Sequence, residues 1–179
     1  MSASKKILFQ LTGSIACYKS CDLISKLVQL GHDLQIVASK DALRFVGEAT
    51  LEGLSGKRVF TDIYEEGKMM SHIHLNEWAD IVILHPATAN TINAMAAGIS
   101  TNAISSLFLS FPFTKPYIVF PAMNHKMLSH PATQCSLDNL KEMGVLVTKT
   151  GEGNLACGET GGGRLLETPK ALELLKEYL

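Results

Sequence analysis

The sequence predicts an α/β protein built on a doubly wound parallel sheet in three layers, and three observations carry that expectation. The run Asp80-Ile81-Val82-Ile83-Leu84 shows no polar alternation, the pattern of a strand covered on both faces. Strand-like and helix-like segments alternate along the whole chain. Gly31, Gly98 and Gly144 follow helical stretches at the positions where left-handed stops are expected. With 179 residues, no internal repeat and no low-complexity linker, residues 1–179 are expected to form one domain.

Residues 6–12 read as the first strand, broken by Gly13-Ser14 before a helical pattern over 15–30. Gly13 permits close backbone approach, Ser14 can cap, and the N–H groups of Ile15 and Ala16 would face an anion. Thr12-Gly13-Ser14-Ile15-Ala16-Cys17 cannot match GxGxxG, so a mononucleotide phosphate suits this turn better than a dinucleotide. Residues 33–38 give a second strand, with Ser39 at its carboxyl end before a short helix through Phe45. Residues 50–64 read as short helices and loop, and 69–78 lead into the central strand.

Pro86 is expected to end that strand. Beyond it, Thr88, Asn90 and Thr91 offer hydroxyl and amide groups beside the N–H groups at a helix start. That set suits an anion or a heterocycle edge, and it serves equally as a plain N-cap. A helix over 101–111 and a strand over 117–120 follow, with Pro121-Ala122-Met123-Asn124 at the strand's carboxyl end. A helix over 131–143, a strand over 145–148 and a final helix over 170–179 complete the pattern. Between the last two, residues 151–164 hold six glycines in fourteen positions, too flexible for a regular element, and read as an active-site flap or a surface loop.

Only 18% of residues are charged, against a usual share of about 25%, which hints at interfaces between copies. A net charge of −1 without a Lys/Arg run argues against nucleic acid and anionic membranes and for a small-molecule ligand. The apolar run Ile7-Leu8-Phe9 is too short for a signal peptide or a membrane span, so a cytoplasmic location is expected. Cys17, Cys21, Cys135 and Cys157 contain no CxxC pair and are expected to be thiols. Cys17 and Cys21, four apart on a helix, suit core packing better than a metal, and no metal is expected.

Five motifs stand in order: Gly13-Ser14-Ile15-Ala16, His72-Ile73-x-Leu75-x-x-Trp78-Ala79-Asp80, Pro86-Ala87-Thr88-Ala89-Asn90-Thr91, Pro121-Ala122-Met123-Asn124 and Ala156-Cys157-Gly158…Gly161-x-Gly163-Arg164. Together they resemble the homo-oligomeric flavin-containing cysteine decarboxylases, on the side of that family that acts on phosphopantothenoylcysteine in coenzyme A biosynthesis. The resemblance implies a flavodoxin-like fold, bound FMN, and homo-trimers often assembled into dodecamers. It implies oxidation of the cysteinyl thiol to a thioaldehyde, loss of carbon dioxide to leave an enethiol, and return of hydride with a proton from a cysteine.

In that likeness His72 fills the catalytic histidine position, and an imidazole can shuttle protons at neutral pH. His74 occupies a variable position. Asn124 fills the position that binds the substrate carboxylate, where a neutral amide donates without holding the ground state as an Arg would. Cys157 matches the proton-donating cysteine. The flavin contacts carried over are Gly13, Ser14, Ile15, Ser39, Thr88, Ala89, Asn90, Thr91 and Ala122; Met123, Asn154, Leu155 and Ala156 join Asn124 on the substrate side. His85 departs from the alanine common before the Pro-Ala motif, which touches local packing only.

A peptidyl-cysteine decarboxylase of lantibiotic maturation would share the flavin, the histidine and the asparagine, but would stop at the enethiol and not need Cys157. A flavin prenyltransferase gives no reason for Pro121-Ala122-Met123-Asn124 together with Cys157. A non-catalytic flavin-binding regulatory subunit would lack one of His72, Asn124 and Cys157, and all three are present. The synthetase domain often fused to such decarboxylases is not expected, because the chain ends at Leu179.

Overall fold

The computed structural model describes residues 4–62, 71–154, 158 and 160–179. Strand β3 (Ile81–Ala87) holds the middle of a five-stranded parallel sheet, and all seven of its residues are buried. β1 (Lys6–Leu11) and β2 (Asp33–Ala38) lie to one side, and β4 (Tyr117–Pro121) and the two-residue β5 (Leu146–Val147) to the other, in the order β2-β1-β3-β4-β5. The chain therefore reverses direction across the sheet between β1 and β3, which is where open α/β sheets part to admit a ligand.

The period-two alternation of the strands sorts the core into two layers. Ile7, Phe9, Leu11, Ile83, Ile118 and Phe120 pack on one face against Leu23, Ile24 and Leu27 of α1 (Cys17–Gln29) and Ala171 and Leu175 of α8 (Thr168–Leu175). Leu8, Val82, Leu84, Tyr117 and Val119 pack on the other, against α4 (Ala89–Ala96), α5 (Ala103–Leu109) and α7 (Pro131–Glu142). Cys17 is fully buried in the first layer. Cys21 packs against that layer. No described helix is long and apolar enough to cross a membrane.

Several elements differ from the sequence pattern for local reasons. α1 starts at Cys17 rather than Ile15, because the turn before it is closed by Ser14 Oγ, which accepts the Ala16 N–H at 3.2 Å. Pro86 does not end β3. Its missing N–H falls at a register shift between Leu84 and Ala87, a place where a strand tolerates proline, and Ala87 resumes pairing with Pro121. Residues 42–44 form a 3₁₀ turn and Glu48–Ser55 the helix α2. Ser71–Trp78 is helical, α3, docked where Asn76 Nδ2 donates to the Leu107 carbonyl at 2.8 Å. α5 is shorter than expected, because the Asn102 side chain caps it through the N–H groups of Ile104 and Ser105. The five-residue α6 (His125–Ser129) was not foreseen.

The largest difference lies in the glycine-rich stretch, which forms an antiparallel hairpin of β6 (Gly151–Asn154) and β7 (Thr160–Arg164) rather than an irregular loop. Its glycines admit backbone contact. The Gly163 carbonyl accepts the Met123 N–H at 2.9 Å, Gly163 has φ +99°, and a Cβ there would stand 2.3 Å from the Met123 carbonyl oxygen. A Cβ on Gly161 would press on His125 at 3.2 Å. Leu155, Ala156 and Cys157 lie outside the described residues.

His85 shares the α1 face of β3 with Ile83, between Phe9 and Phe120. Ser20 Oγ donates to the His85 carbonyl at 2.7 Å, so its lone pair is left to accept from Nδ1–H at 2.9 Å. Nε2 is buried with no partner among the described residues. Burial accordingly holds the imidazole pKa down at about 3, well below its ordinary 6.5.

Two predictions follow from these contacts. An unfolded chain takes up a proton at His85 below pH about 6.5 that the folded chain refuses until about 3, so this site's contribution is complete above 6.5 and is lost as pH falls. Urea denaturation from pH 7.5 to 5 should show a slope up to about 1.4 kcal/mol per pH unit steeper for the parent chain than for His85→Ala. Equal slopes would remove His85 as the cause. Gly163→Ala should lower stability by about 1–3 kcal/mol in the same assay, since it combines a left-handed φ with a backbone clash.

Candidate functional site

The site begins where β1 and β3 end. Thr12 is 2% exposed, and its Oγ1 donates to the Pro86 carbonyl at 2.7 Å while accepting the Thr88 N–H at 3.0 Å. Thr12 N–H also donates to Pro86, at 3.2 Å. One hydroxyl thus fixes the turn before α1 and the loop before α4 in a single arrangement, at the carboxyl edge of the sheet.

Between these turns opens a cleft of about 780 Å³, within the range of cofactor sites. On one wall, Gly13, Ser14 and Ile15 form the turn before α1. The N–H groups of Ser14 and Ile15 donate to no described residue. Gly13 has no room for a side chain, since a Cβ would lie 2.6 Å from Asp41 Cβ. The neighbouring 39–42 turn is therefore itself a contact that demands glycine. Ser39 closes that turn, with its Oγ accepting the Ala42 N–H at 3.1 Å.

On the opposite wall, Thr88 caps α4, with its Oγ1 accepting the Thr91 N–H at 3.4 Å and lying 3.2 Å from Thr91 Oγ1. The capping role is therefore real, and it does not remove the residue from the cleft. Ala89 and Asn90 supply the first N–H groups of α4, which a helix cannot satisfy itself. Beyond β4, Ala122, Met123 and Asn124 line the cleft. Asn124 Oδ1 accepts the Lys126 N–H at 2.8 Å as the cap of α6.

The structure thus brings together Gly13, Ser14, Ile15, Ser39, Thr88, Ala89, Asn90, Thr91, Ala122, Met123 and Asn124 around one space. His72 lies in the first turn of α3, and none of residues 73–78 of that helix lines the cleft. His74, two positions on and so on another side of the helix, is exposed and 3.6 Å from Glu77. Asn154 belongs to β6, while Leu155, Ala156 and Cys157 fall outside the described residues.

Sequence reasoning overlooked Thr12, Asn102 and Lys19. Asn102 lines the cleft beside its capping role, and the Asn102-x-x-Ser105 spacing was the available signal. Lys19 lines it from α1 with its side chain 7% exposed and Nζ 2.8 Å from Glu167 Oε1, a pairing across 148 positions that no local pattern discloses.

The family model described as Flavoprotein matches residues 1–179. The chain is 37% identical over 180 residues to the coenzyme A biosynthesis bifunctional protein CoaBC of Bacillus subtilis, covering 99% of this chain but 44% of that protein. It is 35% identical over 178 residues to a Streptococcus mutans protein named a probable phosphopantothenoylcysteine decarboxylase, covering 98% and 99% of the two chains. The chain therefore spans less than half of the bifunctional relative and nearly all of the shorter one. Among solved structures, a PPC decarboxylase mutant complexed with pantothenoylaminoethenethiol superposes with a TM-score of 0.87 at 26% identity over 98% of both chains. The FMN binding protein AtHal3 gives 0.81 at 26% over 99% of both. The fold is accordingly flavodoxin-like, and the chain belongs to the Flavoprotein family, among its flavin-containing cysteine decarboxylases.

Proposed function

We propose that this chain decarboxylates 4'-phosphopantothenoylcysteine to 4'-phosphopantetheine with bound FMN, as a single domain working in the cytoplasm. The observation that carries the reading is the convergence of all nine carried-over flavin positions on one cleft at the β1/β3 reversal. The lining fits FMN on its chemistry: N–H groups at two helix starts and the hydroxyls of Ser14, Thr88 and Thr91 suit a phosphate and ribityl chain. Bound there, FMN supplies a reversible electron sink that makes the substrate carboxylate labile.

The chain's own residues hold the substrate and move protons. Asn124, with Oδ1 engaged by the Lys126 N–H, directs donor chemistry to the substrate carboxylate and itself adds no charge that would hold the ground state. Met123, Asn154, Leu155 and Ala156 border the pantothenate arm. Cys157, between the two hairpin arms in sequence, protonates the enethiolate carbon. His72 acts as base or shuttle at the thiol.

A homo-trimer completes the site in this reading. Two observations support it: residues 73–78 of α3 do not line the cleft of their own chain, and Ile15, Tyr18 and Met127 stand 61%, 62% and 50% exposed at the cleft. A neighbouring copy would cover those side chains and bring its His72 to the flavin.

The purified chain should be yellow or take up added FMN; a colourless protein that fails to do so sinks the reading. His72→Asn should keep the flavin and lose turnover by about 10²- to 10⁴-fold, whereas His74→Asn should be nearly silent. Equal damage from both would mean the motif is misplaced. Cys157→Ser should still release carbon dioxide but accumulate the enethiol product, because a hydroxyl is a far weaker acid than a thiol of pKa about 8.5. Mass spectrometry of a single turnover distinguishes the products. Saturated product at the parent rate would relieve Cys157 of its role and favour a peptidyl-cysteine decarboxylase.

A further inference from the structure

Two cations of the cleft wall share one acceptor. Lys19 Nζ on α1 lies 2.8 Å from Glu167 Oε1, and Arg164 Nη2 at the end of β7 lies 3.0 Å from the same oxygen. Lys19 also donates to the Leu165 carbonyl at 3.3 Å. Both cations line the cleft, and Glu167 does not. Arg164 is further confined by the opposite hairpin arm, where Gly153 has φ +141° and a Cβ would stand 3.0 Å from Arg164 Nη1. The guanidinium therefore passes Gly153 and ends on Glu167, so one carboxylate ties the end of β7 to α1.

The energetics favour placement over stability as the consequence. The Glu167 side chain is 50% exposed, and pairs so open to water contribute little to folding. Lys19, with 7% exposure, has its position set by what it can donate to inside the wall. One acid between two bases also leaves the group with a net positive charge, facing a space that receives anionic ligands in the reading given above.

We propose that Glu167 is a positioning residue: by holding Lys19 and Arg164 on one oxygen it fixes two cations against the anionic ligand and locks the glycine hairpin to α1 during turnover. The inference rests on the decarboxylase reading for its kinetic consequence, but its structural consequence is independent of that reading. Removing the acid's charge raises the positive potential of the wall while freeing the cations to move. Ground-state binding of an anion should then hold or tighten, and the chemical step should suffer.

The test uses the FMN-loaded full chain with Glu167→Gln and Glu167→Asp. For Glu167→Gln, kcat should fall at least tenfold with KM unchanged or lower and FMN affinity within about threefold of the parent. Glu167→Asp, which keeps the carboxylate, should recover at least half of that loss on a logarithmic scale. A variant that merely loosened the fold would raise KM and would not be rescued. Limited trypsin digestion read by mass spectrometry gives the second measurement: cleavage after Arg164 should speed at least fivefold in Glu167→Gln. An unchanged kcat in Glu167→Gln or an unchanged tryptic rate overturns the proposal. A parent chain without decarboxylase activity would instead sink the reading under which the ligand was assigned, and the tryptic rate would then decide the hairpin tie alone.

Discussion

The Thr12 hydroxyl is the constraint on which the ligand side of the molecule depends. β1 and β3 pair as neighbours in parallel, so their connections leave in opposite directions and the two following turns have no ladder to join them. Thr12 supplies the missing link by donating to Pro86 and accepting from Thr88. The bond is buried, where a lost partner costs more than on the surface. Two further walls of the cleft are placed relative to that pair: the 39–42 turn through its close approach to Gly13, and the end of β4 through the Ala122 N–H on the Ala87 carbonyl at 2.9 Å.

Much of the sheet was legible because burial writes itself into strands. β2 coincides with the residues read as a strand, and β3 is announced by its unbroken apolar run. The nine cleft positions assigned to flavin came from motif likeness, and elementary capping rules alone would have left Thr88 and Ser14 as helix starts. Pro86 misled because the rule for proline concerns its own missing N–H, whereas here its carbonyl matters as much. That carbonyl takes two bonds from Thr12. Lys19 escaped because its partner is remote in sequence, and a charged residue on an amphipathic helix ordinarily reads as solvent-facing.

The glycine-rich stretch shows how composition can point the wrong way. Six glycines suggest conformational freedom, yet another chain segment passes too close to Gly163 for any side chain and tightly against Gly161. Their role is steric, and the freedom they bring to the unfolded chain is a cost that the docked hairpin must offset. The same reasoning applies to Gly13, whose neighbour is Asp41 rather than the ligand-facing space. Absence of a Cβ is thus read correctly only when the opposing atoms are known.

Asn124 carries a consequence for how this position can vary. As the cap of α6 it must present a short side chain with an acceptor two bonds beyond Cβ, a condition that aspartate meets as well as asparagine, and serine or threonine nearly so. Under the proposed reaction, by contrast, the chemistry asked of it is donation from a second atom while the first stays engaged. Aspartate has no such donor, and a hydroxyl must use one oxygen for both tasks. The fold and the proposed ligand would therefore impose two different filters on one residue, and the carboxamide of asparagine is the side chain of that length that passes both with separate atoms.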